Sequence, residues 1–96
     1  MITALVLLTV APDKVTTVAE QLADMPGITE VYSVAGRFDL AVVIRVKEND
    51  QLATIVSDKI RQVTGIQTSE TLIAFRVFSR YDLEMAFSLG SEEEKK

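Results

Sequence analysis

The sequence predicts an α+β domain with its elements in the order β, α, β, β, α, β, and three observations carry that prediction. Four apolar, β-branched runs, at residues 2–10, 28–35, 40–47 and 66–78, read as strands. Two of the segments between them hold apolar residues at helical spacing. Proline or glycine punctuates the joins.

Taken in order, Ile2, Ala4, Val6, Leu8 and Val10 form one alternating set and Leu5 and Leu7 the other, so the first strand is apolar on both sides, as a central strand should be. Pro12 and Asp13 suit a helix start, after which Val15, Val18, Ala19, Leu22 and Met25 recur at helical spacing until Pro26 and Gly27 stop them. The runs at 28–35 and 40–47 form a hairpin around a turn at 36–39. Asn49 or Asp50 can cap a second helix that carries Leu52, Ile55, Val56, Ile60 and Val63 on one face and ends at Gly65. The run at 66–78 supplies the last strand.

This is the split-βαβ, ferredoxin-like order. Right-handed crossovers place both helices on one face of a four-stranded antiparallel sheet and leave the other face bare. Four strands about 4.8 Å apart and about 25 Å long make a face of roughly 450–500 Å², near the largest apolar patch a monomer ordinarily leaves in water. Burying two such faces contributes on the order of 20 kcal/mol gross, against an association cost of about 4–15 kcal/mol. The expected unit is a dimeric α/β barrel, two sheets packed face to face.

Composition removes most other functions. A chain of 96 residues is one small domain, and at 48% hydrophobic and 25% charged it is neither disordered nor fibrous. Cysteine and histidine are absent, which excludes disulfide frameworks, thiolate chemistry, most zinc sites and any triad built on imidazole. Ten basic and fourteen acidic residues give a net charge of −4, the wrong sign for a domain that neutralises phosphates by itself, so no direct nucleic-acid contact is expected. The apolar opening lacks a basic leader and is far shorter than the ~20 residues a membrane span needs. A cytoplasmic protein without a membrane segment or cofactor is expected.

The candidate site lies in the turn. Gly36 serves a tight turn whether or not anything binds there, and the carboxylate of Asp39 has two readings. It can accept hydrogen bonds from the turn's own N–H groups. Alternatively it can take the ammonium of a small zwitterion while exposed turn amides take the carboxylate. Ser69 and Thr71 stand at i and i+2 on the last strand, so their hydroxyls point the same way.

The stretch GITEVYSVAGRFDLAVVIRV, followed after one helix by TGIQTSETLIAF, resembles the ligand-sensing domain of the Lrp/AsnC regulators, also called the RAM domain. Pro26, Val34, Gly36, Asp39 and Leu40 match the first part of that family's pattern, with Ile28 in place of a valine, and Gly65, Ile66, Ser69, Thr71 and Leu72 match the second. The resemblance spans residues 1–79. It implies a domain that dimerises through its sheets, dimers that assemble into an octamer or similar ring, and a free amino acid bound between dimers near the hairpin turn. Carried over by position, the ligand-binding residues are Gly36, Arg37, Phe38 and Asp39 with Ser69 and Thr71. Arg37 and Phe38 fill positions that vary in the family. Met1 opens on the first strand, so the resemblance is to a stand-alone member without the helix-turn-helix, one that would modulate transcription or act through a paralogue that carries it.

Three alternatives come from other classes. An ACT-type amino-acid-binding domain shares the element order, but its ligand loop follows the first strand and favours glycine, which TVAPDK lacks. A dimeric α/β-barrel enzyme would ordinarily use an imidazole or a metal, and Tyr32, Tyr81 and scattered acids are thin material for acid–base work. The third is an interaction module without a ligand. Residues 80–96 read as a C-terminal extension with a frayed, charged tail; within it Leu83 and Phe87, at i and i+4, suggest one helical turn that packs on something.

Overall fold

The computed structural model describes residues 1–78 and Arg80, so the extension read from the sequence, with its turn at Leu83 and Phe87, lies outside the described residues. Strands β1 (Ile2–Val10), β2 (Ile28–Ser33), β3 (Leu40–Val46) and β4 (Ile66–Ile73) form one antiparallel sheet in the order β2-β3-β1-β4. Helix α1 (Val15–Ala23), entered through a 3-10 turn at Pro12–Lys14, joins β1 to β2. Between β3 and β4, α2 (Asn49–Ala53) continues into a wide π-helical turn at Thr54–Lys59 and a 3-10 turn at Ile60–Gln62. The ferredoxin-like βαββαβ arrangement expected from the pattern is the observed one.

The core forms where the helices meet one face of the sheet. Ala4, Val6, Leu8 and Val10 of β1 and Leu40, Val42, Ile44 and Val46 of β3 are buried there, against Val18 and Leu22 of α1 and Leu52, Ile55, Ile60 and Val63 of the second crossover. Pairing in register (Ala4 with Ile44, Val6 with Val42, Leu8 with Leu40) points these two sets the same way. In the π turn the Ile60 N–H donates to the Ile55 carbonyl, five residues back, which brings Ile60 one full turn below Ile55 on the core side.

The other face carries Leu5, Leu7, Ala41, Val43 and Leu72 at its centre, with Leu5 38% and Leu72 46% exposed. Around them stands a polar rim: Tyr32 hydrogen-bonds Glu30, Arg45 lies 3.7 Å from Glu30, and the hydroxyls of Thr9 and Thr68 hydrogen-bond across β1 and β4. An apolar centre inside a polar rim is the anatomy of an interface. On β4, Ser69 to Ile73 are exposed on both faces, because α1 packs on β2 and β3 and the second crossover on β1 and β3.

Besides small trims at the ends of α1 (Ala23) and β3 (Val46), three boundaries differ from the sequence reading in ways that bear on the site or the sheet. The second strand stops at Ser33, two residues early, and leaves a six-residue connection rather than a four-residue turn. β4 stops at Ile73, opposite Ala4, because β1 begins at Ile2 and has almost nothing left to pair with. The N-cap of α2 is Glu48 rather than Asn49 or Asp50, and Gln51 Oε1 accepts from the Lys47 and Glu48 amides at 3.0 Å each.

Candidate functional site

The connection between β2 and β3 is closed at its base and open at its tip. At the base the Val34 N–H donates to the Asp39 carbonyl (3.0 Å) and the Asp39 N–H to the Leu8 carbonyl (2.8 Å). At the tip Gly36 has φ +137°, a backbone angle that side chains resist, although a Cβ there would meet nothing within 4 Å. Glycine is needed for the angle, not for space. The guanidinium of the exposed Arg37 lies over the half-buried Phe38 ring, 5.6 Å from its centroid, which holds the two side chains of the tip together. Among the described residues no hydrogen bond takes up the Gly36, Arg37 and Phe38 amides. Exposed N–H groups of this kind are free to donate to water or to an anion.

Asp39 has work within the fold. Its Oδ2 accepts from the Val10 N–H at 2.8 Å, where the β1–β4 register shifts between Thr9 and Val10. The carboxylate thus extends the β1–β3 ladder by one hydrogen bond, and only Oδ1 is left without a partner among the described residues. The acid is used within the fold, but the donor is in β1 and not in the turn, where the first of its two sequence readings put it.

Ser69 and Thr71 lie on the other side of β1. Leu8 pairs with Leu40 on one flank and Ser69 on the other, and Val6 with Val42 and Thr71. Ser69 is therefore in the same cross-strand row as Leu40 but two strand spacings away, about 10 Å. The fold gathers Gly36, Arg37, Phe38 and Asp39 at one end of the sheet with Ser69 in the adjoining row; within one chain it does not bring the two hydroxyls into contact with the loop. The bond between Val10 and Asp39 was not foreseeable, since nothing in either residue's neighbourhood marks the other. No group of three or more acidic side chains among the described residues could hold a metal. No helix among them is long and apolar enough to cross a membrane.

The profile of the Lrp/AsnC ligand binding domain matches residues 3–83. The chain belongs to the Lrp/AsnC ligand-binding domain family. An HTH-type transcriptional regulator of Pyrococcus horikoshii, itself of uncharacterised role, is 38% identical over 76 residues; the match takes in 76% of this chain and 51% of the relative, so the chain spans about half that protein's length. Among solved structures, the Lrp/AsnC domain here superposes on TTHA0845 from Thermus thermophilus with a TM-score of 0.78 and 39% identity, over 83% of this chain and all of the other. The complex of a Neisseria meningitidis transcriptional regulator with L-Met matches at a TM-score of 0.73 over 82% of this chain and 53% of that one, and at 14% identity it shows the shared Lrp/AsnC fold alone.

Proposed function

We propose that this Lrp/AsnC domain senses a free amino acid at the β2–β3 connection, in dimers formed through the bare sheet faces and assembled further into rings. The observation that carries the reading is the open tip of that connection, where three successive amides, and Oδ1 of the Asp39 that follows them, have no hydrogen-bond partner among the described residues. Those amides suit the α-carboxylate, and Asp39 Oδ1 suits the α-ammonium. The L-Met held by the Neisseria meningitidis regulator supports an amino acid as the class of effector.

Ser69 and Thr71 complete the site across an interface. Within one chain Ser69 stands about 10 Å from Leu40 at the end of the loop and Thr71 farther, but both are exposed on an uncovered strand, so hydroxyls contributed by a neighbouring dimer can reach the ligand. The dimer is supported by the apolar centre of Leu5, Leu7, Ala41, Val43 and Leu72 within its polar rim. Residues 1–79 are the sensing unit in this reading, and 80–96 an extension to it.

The domain acts on transcription through other proteins. Its net charge of −4 opposes direct contact with DNA, and a helix-turn-helix-bearing Lrp/AsnC regulator is the proposed partner. Binding, not catalysis, is its role, in the cytoplasm. Calorimetry against the twenty amino acids, with the mass in solution measured for the free and the loaded protein, tests the reading. Saturable heat from one or a few of them is expected, and no heat from any would overturn it.

A further inference from the structure

A concavity lies at the end of the sheet opposite the β2–β3 connection, where β1 begins and β3 ends. It is a cleft of about 530 Å³, within the range of small-molecule sites. Arg45, Lys47 and Lys59 line it, three of the ten basic residues of a chain whose net charge is −4. No acidic side chain is among its lining residues; the nearest counter-charge in contact is Glu30, 3.7 Å from Arg45 and half exposed.

The neutral groups strengthen the bias towards donors. Gln51 Oε1 is engaged by two backbone N–H groups, at Lys47 and Glu48, and a carbonyl oxygen is what two donors require, so the amide orientation is fixed. Its Nε2, with two N–H groups, has no partner among the described residues, and Gln51 is one of the residues that line the cleft. The floor is apolar, made by Val46 and Ile55, 7% and 4% exposed.

The backbone shapes this wall in a particular way. Thr54, Ile55 and Lys59, all of them lining residues, belong to the π-helical turn. A turn of that kind costs hydrogen-bond geometry and recurs at functional sites. On the opposite side Gly27, with φ +93°, lets the chain come so near that a Cβ would stand 2.5 Å from Ile55 Cδ1. Both walls of the cleft depart from regular geometry.

We infer that this cleft binds an organic anion, a carboxylate or phosphate head held by Lys47, Lys59, Arg45 and the Gln51 amide, with a small apolar body on Val46 and Ile55. The site is separate from the β2–β3 connection, and neither reading depends on the other. Phenyl phosphate, phenylacetate and the neutral benzyl alcohol, each titrated into the full-length protein labelled with nitrogen-15, test it. Saturable shifts at the Gly27, Val46, Lys47, Thr54 and Ile55 amides are expected with one or both anions, and the tighter of the two identifies the head group. The exposed pair Lys47→Gln and Lys59→Gln should weaken that binding about tenfold or more, the effect of losing charge-assisted hydrogen bonds. Asp39→Asn should leave it unaltered. Shifts of equal size with benzyl alcohol, affinity unchanged in the double variant, or no saturation with either anion would overturn the inference.

Discussion

The Val10 N–H donates to Asp39 Oδ2 at 2.8 Å, and this bond, with that from the Asp39 N–H to the Leu8 carbonyl, ties β1 to the loop proposed to read its ligand. Val10 is 3% exposed, so water cannot readily replace the acceptor. Asp39→Ala should therefore cost about 1–3 kcal/mol of stability, a buried N–H being left without a partner. In a domain of this size that is a fall of several degrees in melting temperature. Asp39→Asn keeps an oxygen for Val10 but removes the charge. It should melt close to the parent while binding an amino acid about tenfold to a hundredfold more weakly, as judged by calorimetry. Undiminished binding in the asparagine variant would reduce Asp39 to a member of the ladder.

Leu7 stands near the centre of the bare face, paired with Ala41 and Glu70 across β1. Leu7→Arg should place a charge in the proposed dimer contact while leaving the helix-covered core untouched, because Leu7 belongs to the opposite alternating set from Val6 and Leu8. A monomeric mass by sedimentation, with the circular dichroism of the parent, is the expected result. A dimer at micromolar concentration in the variant would show that the sheets do not meet there.

Tyr32 hydrogen-bonds the Glu30 carboxylate, and this bond, with the negative charge behind it, holds the phenol above its usual pKa. The neutral phenol is the form favoured in the fold. Its contribution is therefore complete below the ordinary phenol value of about 10 and is lost as pH rises through the raised one. In a Tyr81→Phe background, ultraviolet titration should show Tyr32 ionising later than a free tyrosine, and Glu30→Gln should move it back down. A normal midpoint with Glu30 intact would mean that the bond is not kept in solution.

Gly27 and Gly36 both have positive φ but differ in their surroundings. A Cβ at Gly27 would meet Ile55 Cδ1 at 2.5 Å and Val46 Cγ1 at 3.0 Å, whereas at Gly36 it would meet nothing. Gly27→Ala should thus cost backbone strain together with overpacking, and Gly36→Ala strain alone, a difference of about 1–3 kcal/mol in urea unfolding. Adding Ile55→Val, which trims the obstructing methyl, should recover part of the Gly27→Ala loss and none of that at Gly36. Equal losses at the two glycines would contradict this packing.

The order of elements was legible because each strand shows its apolar set locally and each helix its stripe: Val18 and Leu22, and Leu52, Ile55, Ile60 and Val63, lie buried as their spacing predicts. The length of a strand is set by its partner, which its own residues do not reveal. Thus 74–78, apolar but for Arg76, extends past Ile73, where β1 offers only the Thr3 carbonyl to the Ala74 N–H, and Phe75 is fully exposed. The loop residues Gly36 to Asp39 announce a turn, but the acceptor role of Asp39 depends on Val10, 29 residues away. The basic cleft had no linear signal at all, since Arg45, Lys47 and Lys59 are joined only by the way β3 runs into the second crossover.

The π turn at Thr54–Lys59 has a bearing on the length of the chain. Ile55 and Ile60 are five residues apart and both face the core, where an α-helix would set them four apart. Removing one of the exposed residues between them, such as Ser57, would let an ordinary helix close with Leu52, Ile55, Ile60 and Val63 still against the sheet. Circular dichroism and a melt close to the parent's would be the sign of it. The segment is in effect a spare link, a place where the polypeptide can be one residue shorter without the interior registering the change, and what the extra residue supplies is the offset that sets Lys59 beside Thr54 on the outer wall.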